Sequence, residues 1–366
     1  MTTDADRTDE IIRQNALLEE QNALLREQNN RLRQTTPPAS DEDEIFIEDI
    51  DRDEMRSGFL VTSDRKRLWN AQIHLINEFA RICEKHNLRW FAAGGTLIGA
   101  ARHGGFIPWD DDVDIVMLRP EYEIFRKIVE SEVEPPYYAD IWYNHRLETD
   151  EPSARTDFSL PLISLEQFRN YMAGFPLFPI IKLRDKRTVF VEFPEDRNIN
   201  QHIAIDIFPL DPLPPFDDEQ RKLNFKIAQI LFMATVHREI IIDAMQKNFQ
   251  LDVDYDVLQD FITLPYKERG LLLEEFLAEN FFPAEHVGDL RDWCIIQGQR
   301  FYQLTAFRDV TYLPFEKIEL PAPVGYDSIL TDFYGEWRKP VFTYTHAKFY
   351  SAEIPWEEFS RKTVLK

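Results

Sequence analysis

The densest chemistry-bearing stretch of this 366-residue chain is Trp109-Asp110-Asp111-Asp112-Val113-Asp114-Ile115. On a strand, side chains alternate faces, so Asp112 and Asp114 are expected to project the same way, with Asp110 joining them where the strand begins. Two carboxylates about 4 Å apart repel by about 4 kcal/mol at an effective dielectric of 20. Such groups must share a proton or hold a cation, and an oxygen-only set suits magnesium or manganese. An acidic turn facing water is the alternative. Against it stand Ile115, Val116 and Met117, which carry the strand straight into a core. Upstream, Gly94-Gly95-Thr96 lies between an extended run and a helix start. Free N–H groups at a helix N-terminus, with glycines permitting close approach, suit phosphate oxygens. A third carboxylate, Asp206, stands alone in the apolar run 203–208, where burial is costly unless it is paired or metal-bound.

A glycine turn, then an Asp-x-Asp strand, then a carboxylate from a neighbouring strand resembles the layout of polymerase-β-like nucleotidyltransferases. A longer match is more specific. Gly95-Thr96-Leu97-Ile98-Gly99-Ala100-Ala101-Arg102-His103-Gly104-Gly105-Phe106-Ile107-Pro108-Trp109-Asp110-Asp111-Asp112-Val113-Asp114 resembles the signature of the LicD family, which includes fukutin and fukutin-related protein. Ile181-Lys182-Leu183-Arg184-Asp185, Ile205-Asp206-Ile207-Phe208-Pro209-Leu210-Asp211, Leu320-Pro321-Ala322-Pro323 and Tyr334-Gly335-Glu336-Trp337 agree with it, so the resemblance covers roughly residues 65–345. It implies a nucleotidyltransferase-like fold that moves a phosphorylated alcohol, phosphocholine first among the candidates, from a CDP-activated donor to a sugar hydroxyl, releasing CMP. The acceptor it implies is a cell-surface glycan, free or lipid-linked. On the matching positions, Asp110, Asp112, Asp114 and Asp206 would hold the metal, with Asp206 also the candidate base. Gly94, Gly95, Thr96, Lys182 and Arg184 would meet the phosphates, and Arg102 or His103 would close over the donor. The gap from Gly95 to Asp112 exceeds that of simpler nucleotidyltransferases. The cysteines of the zinc-binding insertion in the fukutin-related branch are missing, since Cys83 and Cys294 are the only two here.

The elements that must position these residues follow from pattern. Leu68, Trp69, Ile73, Ile76, Phe79, Ala80 and Ile82 recur at helical spacing over 64–87, with Ser63 or Asp64 as N-cap. A short extended run over 89–92, a small-residue helix over 96–102 and a strand over 112–118 come next. Further strands are expected over 179–183, 188–193 and 203–208. Helices are expected over 217–247, 255–279 and 287–307. Strands first and helices afterwards predict an α+β protein: a nucleotidyltransferase core over about 65–215 and a helical remainder over 216–366.

Composition narrows the remaining choices. The net charge of −23 disfavours nucleic acid and anionic membranes, so an anionic substrate needs local cations. No run approaches 18 uninterrupted apolar residues, and the polar, acidic N-terminus is unlike a secretory signal. The expectation is a cytoplasmic protein, soluble or peripheral to the inner face of the membrane. Two other readings share the motifs: a nucleotidyltransferase that attaches NMP to a small molecule or protein, and a non-catalytic scaffold. Intact Asp112, Asp114 and Asp206 argue against the scaffold.

The first 36 residues differ from the rest. Ile11, Leu18, Leu25 and Leu32 fall seven apart, as do Asn15, Asn22 and Asn29, which is a heptad seam with asparagine at a and an apolar residue at d. The reading is a coiled coil over 1–36, dimeric through residues 11–34, then an acidic linker over 37–60 and a phosphotransferase domain over 61–366. Deleting residues 1–36 is expected to convert a dimer into a monomer with unchanged turnover on soluble acceptors. Sedimentation at micromolar concentration measures this, and a monomeric full-length chain would refute it.

Overall fold

A hydroxyl starts the first long helix: the Thr62 side chain accepts from the Arg65 N–H at 3.2 Å, so the cap falls one residue ahead of expectation. In the computed structural model, residues 44–144, 179–192, 200–213, 218–251, 253–280, 284–288, 301–342, 347 and 349–352 are described. The heptad segment 11–34 lies outside them. The acidic stretch expected as a linker is docked over its described part. Ile47 is buried, and β1 (Glu54–Arg56) pairs antiparallel with β2 (Phe59–Val61). Lys66, fully buried, holds this strap down through the Glu48 and Asp49 carbonyls at 3.2 and 3.1 Å and the Glu54 carboxylate at 3.0 Å.

Helix α1 (Ser63–Lys85) buries Leu68, Ile73, Ile76, Phe79 and Ile82 against the sheet. After β3 (Phe91–Ala92) comes α2 (Gly94–His103), two residues longer at its start than the pattern suggests. Gly104, at φ +64°, ends it in the left-handed conformation that glycine tolerates. Strand β4 (Asp114–Leu118) then leads into α3 (Arg119–Glu132), β5 (Tyr137–Ile141), β6 (Ile181–Asp185), β7 (Val189–Val191) and the nine-residue β8 (Ala204–Pro212). Strand β8 is the axis of the main sheet. It runs parallel to β4 on one side and antiparallel to β6 on the other, with β3 beyond β4 and β5 beyond β6.

Helices α4 (Glu219–Val236), α5 (Arg238–Gln246), α6 (Tyr255–Thr263) and α7 (Tyr266–Glu279) follow. The first two expected long helices are each split in two. His237, at φ −138° and ψ 56°, leaves the helical conformation and divides the first, and Pro265 has no N–H to continue the second. The expected helix over 287–307 is not found in its described parts. Strand β9 (His286–Gly288) pairs with the far end of β8, β10 (Tyr302–Gln303) pairs with β9, and residues Leu304–Phe307 form a 3₁₀ turn. An open edge at Asp211 and Pro212 captures this segment, and sheet pairing overrides its local pattern. The hairpin β11 (Val310–Phe315) and β12 (Ile318–Pro323), helix α8 (Tyr326–Tyr334) and β13 (Phe349–Ser351), paired with β7, complete the described chain. The described part of the remainder is therefore mixed, with strands beside its helices.

The helical half is tied to the sheet by buried charge. Arg119, directly after β4, grips Asp211 of β8 through two bonds of 2.6 and 2.7 Å and Glu274 of α7 at 2.7 Å. Glu274 also accepts from the Trp142 indole at 2.7 Å. Burial and the paired carboxylates act on the guanidinium in opposite directions; the pairing prevails and its pKa is raised. Removing one member leaves an uncompensated buried charge. Glu274→Ala is expected to lower stability by about 3–5 kcal/mol in urea unfolding.

Candidate active site

Helix α1 holds the acidic turn by its backbone. The Arg65 guanidinium and the Trp69 indole both donate to the Asp110 carbonyl, at 2.6 and 3.0 Å, and the Gln72 amide donates to the Asp111 carbonyl at 2.9 Å. Positions 65, 69 and 72 form one stripe at i, i+4 and i+7, so a single helix face anchors two consecutive peptides. Strand β4 begins only at Asp114, and Asp112 precedes it. Strand alternation therefore does not set the relation of Asp112 to Asp114; the irregular turn before the strand does.

Carboxylate oxygens from Asp110, Asp111 and Asp112 lie within 4.8 Å of one another. Burial, then the neighbouring charges of Asp112, Asp111 and Asp114, raise the Asp110 carboxyl well above the ordinary carboxylate range. Asp111 is fully buried and also accepts from the Ala347 N–H at 3.0 Å, fastening a C-terminal segment to the turn. No nitrogen or sulfur enters the group, so its donors are those a hard divalent cation takes.

The N-terminus of α2 fits beneath these carboxylates. A Cβ on Gly94 would collide with the Asp114 carboxylate, and one on Gly95 with that of Asp110. The Thr96 hydroxyl accepts from the Asp114 N–H at 2.9 Å, and the Ala93 N–H donates to the Asp114 carbonyl at 3.0 Å. Parallel pairing sets Asp114 directly opposite Asp206, whose own N–H reaches the Val113 carbonyl at 2.8 Å. Lys182 is opposite Asp206 on the other side, and its ammonium contacts the Asp206 carboxylate at 2.6 Å. Three adjacent strands thus present Asp114, Asp206 and Lys182 in one row.

The remaining expected residues have other surroundings. Arg184 lies on the same face of β6 as Lys182, yet its guanidinium is buried and bound to Asp140 at 2.5 Å and to the His202 carbonyl at 2.8 Å. Its charge is committed inside the sheet, which corrects the expectation that it faces a phosphate. Arg102 donates to the carbonyls of Trp337 and Lys339 at 2.5 and 3.3 Å and to His103 Nε2 at 2.9 Å. Burial, then the Arg102 and Arg56 charges, lower the His103 pKa to about 4, so its ring is neutral near pH 7. Sequence reasoning missed Arg65, Trp69, Gln72, Asp111 and the brace from Arg56 through Glu316. Glu316 accepts from Arg56 at 2.7 Å and from the Phe106 N–H at 3.2 Å. Of these, Trp69 is legible in the sequence as an apolar position of the first helix and Asp111 as part of the acidic run.

A glycine-cradled row of carboxylates at a helix N-terminus is the kind of site that handles phosphates beside a divalent cation. Residues 87–218 match the model of the LicD/FKTN/FKRP nucleotidyltransferase domain. The chain is 26% identical over 291 residues, 73% of its own length and 88% of the other's, to the lipopolysaccharide cholinephosphotransferase LicD of Haemophilus influenzae. It is also 53% identical over 34 residues to ribitol 5-phosphate transferase FKRP of Homo sapiens and of Mus musculus, 9% of this chain and 7% of each of those proteins. The geometry makes Gly94 the most sensitive position. Gly94→Ala combines a left-handed φ of +52° with collision against Asp114, and is expected to abolish turnover while lowering stability by about 1–3 kcal/mol, read by steady-state assay and urea unfolding.

Proposed function

We propose that the chain is a magnesium-dependent phosphotransferase with a polymerase-β-like nucleotidyltransferase core. It moves phosphocholine from a CDP-activated donor to a sugar hydroxyl of a cell-surface glycan and releases CMP. The observation that carries this reading is the row Asp114–Asp206–Lys182 over Gly94 and Gly95. Similarity to the cholinephosphotransferase over most of both chains supports the phosphorylated alcohol. Magnesium, with manganese as substitute, would be held by Asp110, Asp112, Asp114 and Asp206, and would neutralise phosphate charge and polarise the leaving group. Asp206 accepts the proton of the sugar hydroxyl, whose oxygen bonds to the phosphorus that bears the alcohol. The bond from that phosphorus to the bridging oxygen breaks, and its electron pair leaves with CMP. Lys182 orients Asp206 and offers positive charge to the transferred phosphate. The N–H groups at the start of α2 bind phosphate oxygens, and Thr96 keeps Asp114 in register with them.

The setting follows from the same reading. The protein works in the cytoplasm, soluble or peripheral to the inner face of the membrane, on a free or lipid-linked glycan, as a homodimer through residues 11–34. No helix among the described residues is long and apolar enough to cross a membrane. Incubation with CDP-choline, CDP-glycerol or CDP-ribitol and magnesium is expected to release CMP. Asp206→Asn should lower kcat by roughly 10²–10⁴-fold with an unchanged thermal midpoint. Release of pyrophosphate from CTP in place of CMP from every CDP-alcohol would establish NMP transfer instead.

A further inference from the structure

The loop between α2 and the acidic turn is held from a point 210 residues further along the chain. Hairpin β11–β12 turns through two residues, Glu316 and Lys317. Glu316 has φ +53°, a left-handed conformation that glycine adopts freely and glutamate does not. Its side chain is 7% exposed and lies on Gly105, where a Cβ would collide with the carboxylate. The Glu316 N–H donates to the Gly104 carbonyl at 2.8 Å. One carboxylate oxygen accepts from the Phe106 N–H at 3.2 Å and from the Arg56 guanidinium at 2.7 Å. Backbone and side chain of one residue thus fix residues 104–106 together. The contact continues to the acidic turn by two routes. The Phe106 ring stacks on Trp69 at 4.8 Å, Arg56 lies over the same indole at 5.4 Å, and that indole donates to the Asp110 carbonyl at 3.0 Å. Along the chain, the Asp110 N–H donates to the Ile107 carbonyl at 2.9 Å, closing a turn that starts beside Phe106.

A hairpin requires neither feature for its own sake. Glycine or asparagine suits a left-handed loop position better, and an apolar tip would cover the loop without burying an ion pair. We propose that Glu316 is a positioning residue: by fixing the Phe106 peptide it sets where the carboxylates of Asp110, Asp111 and Asp112 stand, and so how tightly they hold a divalent cation. The inference rests on the proposed magnesium site and adds a residue outside the matched stretch 87–218 that tunes it. Glu316 acts on the cation only through the backbone of the loop. Carboxylates within 4.8 Å repel one another and spread when their loop is loosened, leaving a cation with fewer oxygens at bonding distance. Its loss therefore weakens cation binding and spares the chemical step once the cation is bound.

The test is manganese binding to the full-length protein, read from the electron paramagnetic resonance signal of the free ion, with thermal midpoints beside it. Glu316→Ala should weaken binding roughly tenfold. Glu316→Gly should weaken it equally while keeping a higher midpoint than Glu316→Ala, because glycine relieves the left-handed position. Lys317→Ala removes a bond of 3.1 Å from the same tip to the Ile45 carbonyl and should leave manganese binding unchanged. In CMP release from a CDP-alcohol, Glu316→Ala should raise the half-saturating magnesium concentration roughly tenfold, with kcat at saturating magnesium nearly unchanged. Three results would overturn the assignment and leave the magnesium site standing: wild-type affinity in Glu316→Ala, affinity losses that follow the midpoints across the three variants, or a kcat loss that saturating magnesium leaves in place. Absence of manganese binding by wild type would overturn the magnesium reading and this inference with it. The expected affinity losses in a protein that releases CMP from no donor would uphold the assignment and refute the phosphotransferase reading.

Discussion

Several carboxylates crowded into one turn repel each other, and much of this structure serves to hold them there. At about 4 Å each pair works against folding by about 4 kcal/mol when uncompensated. The protein answers by gripping the backbone of the turn. Arg65, Trp69 and Gln72 bind the carbonyls of Asp110 and Asp111, and Thr96 and Ala93 bind the peptide groups of Asp114. A hydrogen bond to the carbonyl fixes where the side chain starts without consuming its oxygens. Gly94 and Gly95 then let a helix N-terminus approach those oxygens as no other residue could.

The bracing reaches well beyond the matched domain. Arg56 on the N-terminal strap and Glu316 at the tip of the β11–β12 hairpin meet over the Phe106 N–H, so two distant segments clamp the turn between α2 and the acidic residues. Phe106 is in turn stacked on Trp69 at 4.8 Å and packed against Phe315 at 4.6 Å. Arg102 and Asp111 hold the C-terminal segments at Trp337 and Ala347. A polar contact that joins parts of the chain 210–260 residues apart is made only once, in the folded state, so the turn is rigid only when both ends of the chain are in place.

Charge is placed by contrast as well as by number. The chain carries −23 overall, yet the two cations that β6 places on the face of the carboxylate row have different partners. Lys182 touches Asp206 at the edge of the row, whereas Arg184, two residues on, is sealed against Asp140 inside the sheet. Two residues along one strand face separate a positive charge that meets the row from one paired within the core.

The local sequence determined a good deal. The glycine turn, the acidic run, the strand bearing Asp206 and the periodic helix α1 are all legible because their signals are short-range: backbone permission, face alternation and helical spacing. Asp110, Asp112, Asp114, Asp206 and the glycines could be singled out from those signals, and Asp111 could not. Tertiary structure decided what depends on pairing between distant strands. It set Asp206 between Asp114 and Lys182, drew Asp111 into the cluster, and placed Asp112 ahead of the strand. It turned Arg184 inward and made strands of the described parts of 287–303, because the open edge of β8 and the carboxylate of Asp140 come from segments remote in sequence. Propensity is a local quantity. A hydrogen-bonding edge or a buried counter-charge exists only after the chain has folded back on itself, which is why no window of residues announces it.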